Sequence, residues 1–335
     1  MKRILRPLSL FLAVILTFAL LSGCAGSYIE LSVPEHNVPR DAVVYMDLAA
    51  EMVPLSASPA IFSIPVPSAP GTNVRTNQRA TIDFSNMRDG YVMVRAEQRT
   101  SVRLMVTITG PSAVRYQYRL NGTGAWEVFP LSDGNGKYVI GVHEQIEPGG
   151  TRFSTLLSAE INVTLKDEFA PFLRPNQFVN FSAQSKATAK AAELTESITG
   201  MYPRVEAIFN FIINNISYDR NFAREVQQGM HAGYVPDVDA VLASGKGICF
   251  DFAALMTAML RSLGIPTRLV VGFVGDVKHA WIDVYSDTDG WINNIIHFDG
   301  NTWNLMDPTF SATGNKADVI RFIGTGQNHQ ARFLY

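Results

Sequence analysis

Cys249, His279 and Asp307 are the residues of this chain whose types fit nucleophilic acyl transfer. In such chemistry a cysteine thiolate attacks a carbonyl carbon and an imidazole protonates the leaving group. A carboxylate fixes the tautomer and orientation of the imidazole. Each residue alone also fits a structural role, in packing, at a strand end or in a turn. The order of all three and their local contexts favour thiol chemistry.

Cys249 directly precedes residues 250–263, whose composition predicts a helix that Gly264 ends. Unpaired N–H groups and the helix dipole place positive potential at such a start, which favours thiolate over thiol. The same N–H groups can hold a developing oxyanion. Gly245 and Gly247, just upstream, would allow a substrate backbone to come close.

The two proposed partners of the thiol lie at predicted strand ends. His279 stands at the head of a predicted strand, 280–285, and its context is the best among the six histidines. Asp307 ends another predicted strand, 303–306, and precedes Pro308, which tends to stop the strand there. An imidazole and a carboxylate at strand tips could meet a thiol at a helix start.

The elements around these residues predict an α+β domain. Residues 187–198 are rich in Ala and Glu, and apolar residues recur at helical spacing in 203–216, so both predict helices. Further strands are expected at 267–273 and 291–298. A helix followed by antiparallel strands indicates an α+β fold, which we place at residues 168–335.

Residues 41–167 predict an all-β domain. Short alternating strands separated by turns such as Asn121–Gly122 and 133–136 indicate a sandwich, immunoglobulin-like in type. The Pro/Ser-rich stretch 54–70 is expected to be a long loop. No catalytic grouping occurs in this part, so we interpret it as a spacer or binding module.

The first residues are expected to be a processing signal. A basic start precedes an apolar run, 8–21, that is short for a membrane span. The sequence Leu21-Ser22-Gly23-Cys24 resembles the lipobox of bacterial lipoproteins. The resemblance implies a signal peptide at 1–23, lipidation of Cys24, a tether at 24–40 and an extracytoplasmic protein anchored to the cell membrane. An ordinary signal peptide with a chance cysteine is the alternative.

Cysteine usage bears on the role of Cys249. The chain has two cysteines, so lipidation of Cys24 would leave Cys249 without an intrachain partner. An exported protein usually pairs its cysteines or avoids them, so a lone thiol needs an explanation. Besides catalysis, that explanation can be a small apolar residue in the core.

Other chemistries lack support in the sequence. The formal net charge is -2 and no basic run follows residue 7, so no nucleic-acid partner is expected. No zinc-peptidase, Cys-x-x-Cys or phosphate-loop motif occurs. His297 and Asp299 fit a strand end, and Asp237 and Asp239 fit solvated loop carboxylates too few for calcium. We therefore expect no cofactor and no metal.

Five blocks in order resemble the transglutaminase-like superfamily of transglutaminases and cysteine peptidases with a papain-like core. The resemblance covers roughly 200–312 and rests on Gly247-Ile248-Cys249 with Asp251-Phe252-Ala253, 260–268, His279-Ala280-Trp281, Gly290-Trp291 and Asp307-Pro308-Thr309.

The resemblance implies a nucleophile helix packed on an antiparallel sheet. It also implies Cys249 as nucleophile, His279 as general acid/base and Asp307 as the residue that orients it. Tyr218 best matches an upstream oxyanion donor, although it also fits a rim or core tyrosine. The spacing between His279 and Asp307 predicts a lengthened hairpin at 286–302.

These observations predict a surface-anchored cysteine peptidase or amidase that acts on protein or peptide amides through an acyl-enzyme. The same three residues would serve a glutamine–lysine cross-linking transglutaminase, which is the first alternative. Hydrolysis is favoured because excluding water requires a shielded acyl site. A non-catalytic surface binding module on the same fold is the second alternative.

Overall fold

The computed structural model describes residues 62–293 and 329–335. Its first part consists of two antiparallel sheets of four strands each, with orders β1-β2-β3-β6 and β5-β4-β7-β8. The strands are β1 (Val74–Thr76), β2 (Ala80–Asp83), β3 (Tyr91–Ala96), β4 (Leu104–Thr109), β5 (Arg115–Leu120), β6 (Glu127–Pro130), β7 (Gly136–Gln145) and β8 (Phe153–Val163).

Alternating side chains fill the space between the two sheets. In β5, Tyr116, Tyr118 and Leu120 are buried while their neighbours are exposed, which is the period-two pattern of a half-buried strand. Ile82 of one sheet and Ile140 of the other are fully buried in the same core. The predicted sandwich is confirmed.

The second part centres on one buried helix. The helices are α1 (Lys186–Thr195), α2 (Met201–Asn215), α3 (Arg220–Gln227), α4 (Val238–Ser244) and α5 (Cys249–Ser262). Every residue of α5 from Asp251 to Ser262 is buried. Helices α1, α2 and α4 pack against α5, and the strands β11 and β12 also contact it. A helix apolar on every side is expected in such a position.

A third antiparallel sheet of four strands, of order β13-β12-β11-β14, supports α5. Two short strands, β9 and β10, form a separate parallel pair beside the start of α5. The strands are β9 (Ser217–Tyr218), β10 (Lys246–Gly247), β11 (Thr267–Val274), β12 (Val277–Ser286), β13 (Gly290–Ile292) and β14 (His329–Leu334). A helix packed on an antiparallel sheet confirms the predicted α+β architecture.

The two parts share one continuous hydrophobic core. The Tyr335 ring lies 4.8–5.8 Å from the rings of Tyr116, Tyr118 and Phe178. Next to it, the Ser132 hydroxyl of the sandwich donates to the Leu334 carbonyl at 2.6 Å. The end of β14 therefore joins the sheet behind α5 to the sandwich.

Several expectations fall on residues outside the described ranges. These are the signal peptide at 1–23, the tether at 24–40, Cys24, Asp307 and the strand at 303–306. The boundary at residue 168 also stays a prediction, although β8 ends at Val163 and α1 begins at Lys186. Over the described part of the chain, no helix has the length and apolarity to cross a bilayer.

Candidate active site

Cys249 is the first residue of α5 and is half-buried. The backbone N–H of Ile248, the residue before the helix, is accepted at 2.8 Å by the Asp251 carboxylate, and the N–H of Asp251 returns to the Ile248 carbonyl at 2.9 Å. The N–H groups of Cys249 and Phe250 find no acceptor among the described residues. Two adjacent unpaired donors therefore lie beside the thiol, as an oxyanion site requires.

Asp251 is buried below this first turn. Its carboxylate accepts a hydrogen bond of 2.7 Å from the Tyr234 hydroxyl. Burial raises the pKa of the Asp251 carboxyl, and the hydrogen bonds from Ile248 and Tyr234 only partly offset that effect. Burial, and then the bond to Asp251, raises the pKa of Tyr234 well above its usual range. Tyr234 therefore stays a neutral donor at physiological pH.

Tyr218 reaches the start of α5 through the parallel pair of β9 and β10. It lies directly opposite Gly247, two residues before Cys249. The pair is extended by the Asp219 N–H, which donates to the Gly247 carbonyl at 2.8 Å. The Asp219 carboxylate also accepts the Phe222 N–H, which caps α3. The structure thus brings Tyr218 to the strand that leads into Cys249.

His279 lies in β12 and is 6% exposed. The end of α5 is tied to the start of β11, because the Arg261 guanidinium donates to the Thr267 carbonyl at 2.9 Å. Strand β11 then runs back along α5, with a rise of about 3.3 Å per residue against about 1.5 Å in the helix. The turn between β11 and β12, and His279 beyond it, consequently lie at the end of the sheet where α5 begins.

The side-chain alternation of β12 gives His279 a definite face. Ala280 and Ile282 belong to the main core, whereas Trp281 packs in a separate small cluster with Val270. His279 therefore shares the face of Trp281, because alternate residues of a strand point to the same side. Strand register places His279 opposite Gly272, whose lack of a side chain leaves room there for the Trp281 ring.

The upstream glycines have packing reasons that the sequence did not reveal. Gly245 adopts φ +63° and ends α4 in the left-handed conformation. A Cβ on Gly247 would lie 2.6 Å from the Asp251 Cβ, so this glycine allows Asp251 to fold back under the helix start. The fold itself therefore requires glycine at both positions, so neither glycine is evidence for the approach of a substrate backbone.

Asp237 is exposed and precedes α4, as expected of a solvated loop carboxylate, whereas Asp239 lies within α4, and both have helix-capping roles that the sequence interpretation did not include. Asp237 caps α4 by accepting the N–H groups of Asp239 and Ala240. Asp239 accepts the N–H groups of Lys186 and Ala187 at the start of α1. The two acids stabilise helix starts, where negative charge is favourable. Within the described ranges, no three His, Cys, Asp or Glu side chains group as metal ligands would.

Sequence reasoning assigned no role to Asp251 or Tyr234. An acid three residues after the residue that precedes a helix is a known start signal, so Asp251 was recognisable as a cap. Tyr234 lies 17 residues from Asp251 in an irregular loop, and no local pattern announces that contact.

Part of the chain is similar to known proteins. Residues 188–294 match the family model of the transglutaminase-like superfamily core. The uncharacterised protein YebA of Bacillus subtilis is 28% identical over 33% of this chain and 17% of its own length. The uncharacterised protein ML0607 of Mycobacterium leprae is 35% identical over 18% of this chain and 28% of its own length. The chain thus spans under a third of each of these curated relatives.

A crystal structure of a proposed cysteine protease from Cytophaga hutchinsonii aligns with 71% of this chain and 73% of its own. Its sequence identity is 18% and its TM-score is 0.35. The matched family region runs from α1 to just beyond β13, and it includes Tyr218, Cys249 and His279 but ends before Asp307. Residues 188–294 of this chain form a transglutaminase-like core domain.

Proposed function

We propose that this chain is a surface-anchored thiol acyl-transfer enzyme, a cysteine peptidase or amidase that acts on protein or peptide amides. The observation that carries the proposal is the start of α5. There the half-buried thiol of Cys249 lies beside the N–H groups of Cys249 and Phe250, which have no acceptor among the described residues. Such free N–H groups occur at helix starts in general, and beside a thiol they are available to a tetrahedral intermediate.

The reaction follows from these groups. The Cys249 thiolate attacks an amide carbonyl, and the new C–S bond turns the carbonyl oxygen into an oxyanion held by the two N–H groups and by the Tyr218 hydroxyl. The C–N bond then breaks as His279 gives its proton to the departing amine. His279 next takes a proton from water, whose oxygen attacks the thioester carbonyl. The C–S bond then breaks, which releases the acid and restores the Cys249 thiolate beside protonated His279. Asp307 enters on its sequence motif alone, as the residue that orients His279.

Hydrolysis is preferred over transamidation because Cys249 is only half-buried. An acyl-thioester at this depth meets water readily, and amine transfer would require its exclusion. The location follows from the lipobox resemblance of 21–24, through which Cys24 would hold the protein on the outer face of the membrane. Incorporation of a labelled fatty acid, lost on Cys24→Ser, tests this part separately.

The test of the thiol is the alkylation rate of Cys249 with iodoacetamide near pH 6. We expect labelling clearly faster than that of free cysteine, and slower labelling in His279→Gln. The matched control is His143→Gln, a histidine of the sandwich that bonds Thr107 and Thr155. His279 lies on the Trp281 face of β12, whereas the opposite face packs with α5 in the main core, so this variant tests whether His279 acts on the thiol at all. An unchanged labelling rate in His279→Gln would remove His279 from the mechanism. Labelling no faster than free cysteine would contradict an activated thiol and favour a binding module.

The acceptor is tested with a casein substrate and a labelled primary amine, with Cys249→Ala as control. Release of peptides or ammonia that is lost in the variant supports hydrolysis. Amine incorporation that is lost in the variant would show that the enzyme catalyses transamidation, and would contradict the preference for hydrolysis.

A further inference from the structure

A cleft of about 680 Å³ lies between the sandwich and the transglutaminase-like core domain. The sandwich contributes Arg119, Trp126 and Glu127, while the other wall includes Gln177 and Tyr234. A second cavity of about 310 Å³ adjoins it and shares Arg119 and Asn121 with it. Because the two cavities share these residues, we treat them as one groove, which an extended chain could follow from one cavity into the other.

The groove has unbalanced positive charge. Arg119 lines both cavities and Arg103 lines the smaller one, and neither forms a salt bridge with a described residue. Glu127 is the one acidic residue among the described lining residues, and it already accepts hydrogen bonds from the Asn121 N–H at 2.6 Å and from Gln177 Nε2 at 2.9 Å. Burial raises the pKa of Glu127, and the hydrogen bonds from Asn121 and Gln177 and the nearby charge of Arg119 oppose this rise. A carboxylate entering the groove would therefore meet available guanidinium groups.

The wall of the cleft also presents amide groups without partners. Asn176 is 2% exposed, and its Oδ1 accepts the N–H groups of Phe178 and Val179. Its Nδ2 is buried with no hydrogen-bond partner among the described residues, and so is Gln177 Oε1. The oxygen and nitrogen of neither side-chain amide can be exchanged. Asn176 must accept two N–H groups through Oδ1, and Gln177 must donate through Nε2 to Glu127 and to the Arg119 carbonyl. One unpaired donor and one unpaired acceptor match the C=O and N–H of a peptide group.

Two side-chain contacts connect the cleft to the nucleophile. Tyr234, which lines the cleft, donates to Asp251 in the first turn of α5. Phe178, next to Gln177, packs its ring 5.3 Å from that of Phe250, the residue after Cys249. Only one layer of side chains thus separates the cleft from the start of α5.

We infer that this groove binds an extended peptide segment bearing acidic side chains, whose carboxylates pair with Arg119 and Arg103. The inference rests on the proposed function, because it names the substrate class of the same site. The segment would belong to the acyl donor and would dock it next to the catalytic residues rather than among them, because no α5 residue is among the described residues that line either cavity. Recognition by the groove would give the sandwich a role in substrate binding, since sandwich residues form most of its lining.

The test uses the full chain with Cys249→Ala, so that binding is measured without turnover. The probes are two fluorescein-labelled peptides, one with glutamates around a central glutamine and a twin in which those glutamates are glutamines. Fluorescence anisotropy should show the acidic peptide binding about tenfold more tightly than its twin, an advantage that added salt reduces. Arg119→Gln should abolish the preference, because it removes the guanidinium but keeps the backbone carbonyl that Gln177 uses.

Arg115→Gln is the matched control, because Arg115 lies exposed on the same face of β5 but lines neither cavity. Equal binding of the twins, or an unchanged preference in Arg119→Gln, would overturn the inference, and so would preferential binding of an oligosaccharide. The two proposals fail separately. If Cys249 is unreactive but peptide binding depends on Arg119, the proposed enzymatic function is contradicted and the peptide-binding groove is supported. If Cys249 is reactive but the acidic peptide and its twin bind equally, the peptide-binding groove is contradicted and the proposed enzymatic function is supported.

Discussion

The Tyr234 hydroxyl donates a hydrogen bond of 2.7 Å to the Asp251 carboxylate, directly beneath the first turn of the helix that Cys249 begins. The same carboxylate accepts the Ile248 N–H at 2.8 Å. A loop residue and a cap thus jointly fix the direction in which the unpaired N–H groups of Cys249 and Phe250 point. We therefore regard Asp251 and Tyr234 as positioning residues for the nucleophile.

Asp251→Ala removes the acceptor of both bonds. The variant leaves the Ile248 N–H and the Tyr234 hydroxyl without a partner in a buried site, at about 1–3 kcal/mol for each group. We expect the free energy of unfolding to fall by about 2–4 kcal/mol in urea titrations. Asp219→Ala, which removes only the cap of α3, should cost about 1 kcal/mol. Similar losses in the two variants would contradict the double role of Asp251.

The Asp251 carboxyl also makes stability depend on pH. Because burial raises its pKa in the folded state, the folded protein binds the proton more tightly than the unfolded chain does. Its contribution is therefore fully present below the pKa of the unfolded chain and is lost as pH rises through the folded-state value. Asp251→Asn has no titratable group at this position. The free energy of unfolding of the wild type, relative to that of the variant, should therefore decline as pH rises from about 3.9. Urea titrations across that range measure it, and a rising difference would refute it.

Tyr218→Phe tests the proposed oxyanion donor. The pairing of β9 and β10 uses backbone groups only, so the fold should be unaffected. Loss of one oxyanion donor typically lowers kcat about 100- to 1,000-fold. We expect at least about a tenfold lower kcat with little change in KM, because the two backbone N–H groups remain. Tyr202→Phe, in α2, is the matched control, and equal kcat values in the two variants would assign Tyr218 to packing.

The sequence predicted the elements that bury a regular apolar face. Helix α5 was expected at 250–263 and spans Cys249–Ser262, because its apolar run ends at Gly264, which adopts φ +77°. Helix α3 was missed because it is short and mostly polar, with Ala223 as its only buried residue. Strand β1 was missed for the same reason, since all three of its residues are exposed.

The site was predictable where its signals are local. Cys249 at a helix start and Tyr218 upstream could be named because each lies in a short recognisable block. The structure pairs the strand of Tyr218 with β10, which leads into Cys249. The bond between Tyr234 and Asp251, and the face of β12 that carries His279, depend on tertiary packing and strand register. No spacing along the chain encodes them.

Gly247→Ala tests the packing reason for the glycine before the nucleophile. The new Cβ would meet the Asp251 Cβ at 2.6 Å, so Asp251 or the helix start must move. We expect a loss of about 1–3 kcal/mol in unfolding free energy and a strongly reduced rate of Cys249 alkylation. Lys246→Ala, an exposed neighbour on β10, should change neither quantity. If Gly247→Ala alkylated at the wild-type rate, the position of Asp251 would not control the thiol.

Arg261 joins three segments behind α5. Its buried guanidinium donates to the carbonyls of Arg174, Thr267 and Tyr335, and burial lowers its pKa to about 9, which still leaves it charged at neutral pH. Arg261→Met would leave three carbonyls without this donor at the junction of sandwich, sheet and helix.

We expect a loss of about 2–4 kcal/mol in Arg261→Met, because the Arg174 and Thr267 carbonyls lose this donor at about 1–3 kcal/mol each, while the Tyr335 carbonyl keeps the Leu269 N–H. Arg204→Met is the matched control, because the half-buried Arg204 side chain donates to the Ile198 carbonyl alone. That variant should lose about 1 kcal/mol. Guanidinium unfolding of both variants measures the difference. Equal stabilities would show that the structure relaxes and gives these carbonyls other partners when Arg261 is lost. The domain junction would then depend on the aromatic cluster around Tyr335.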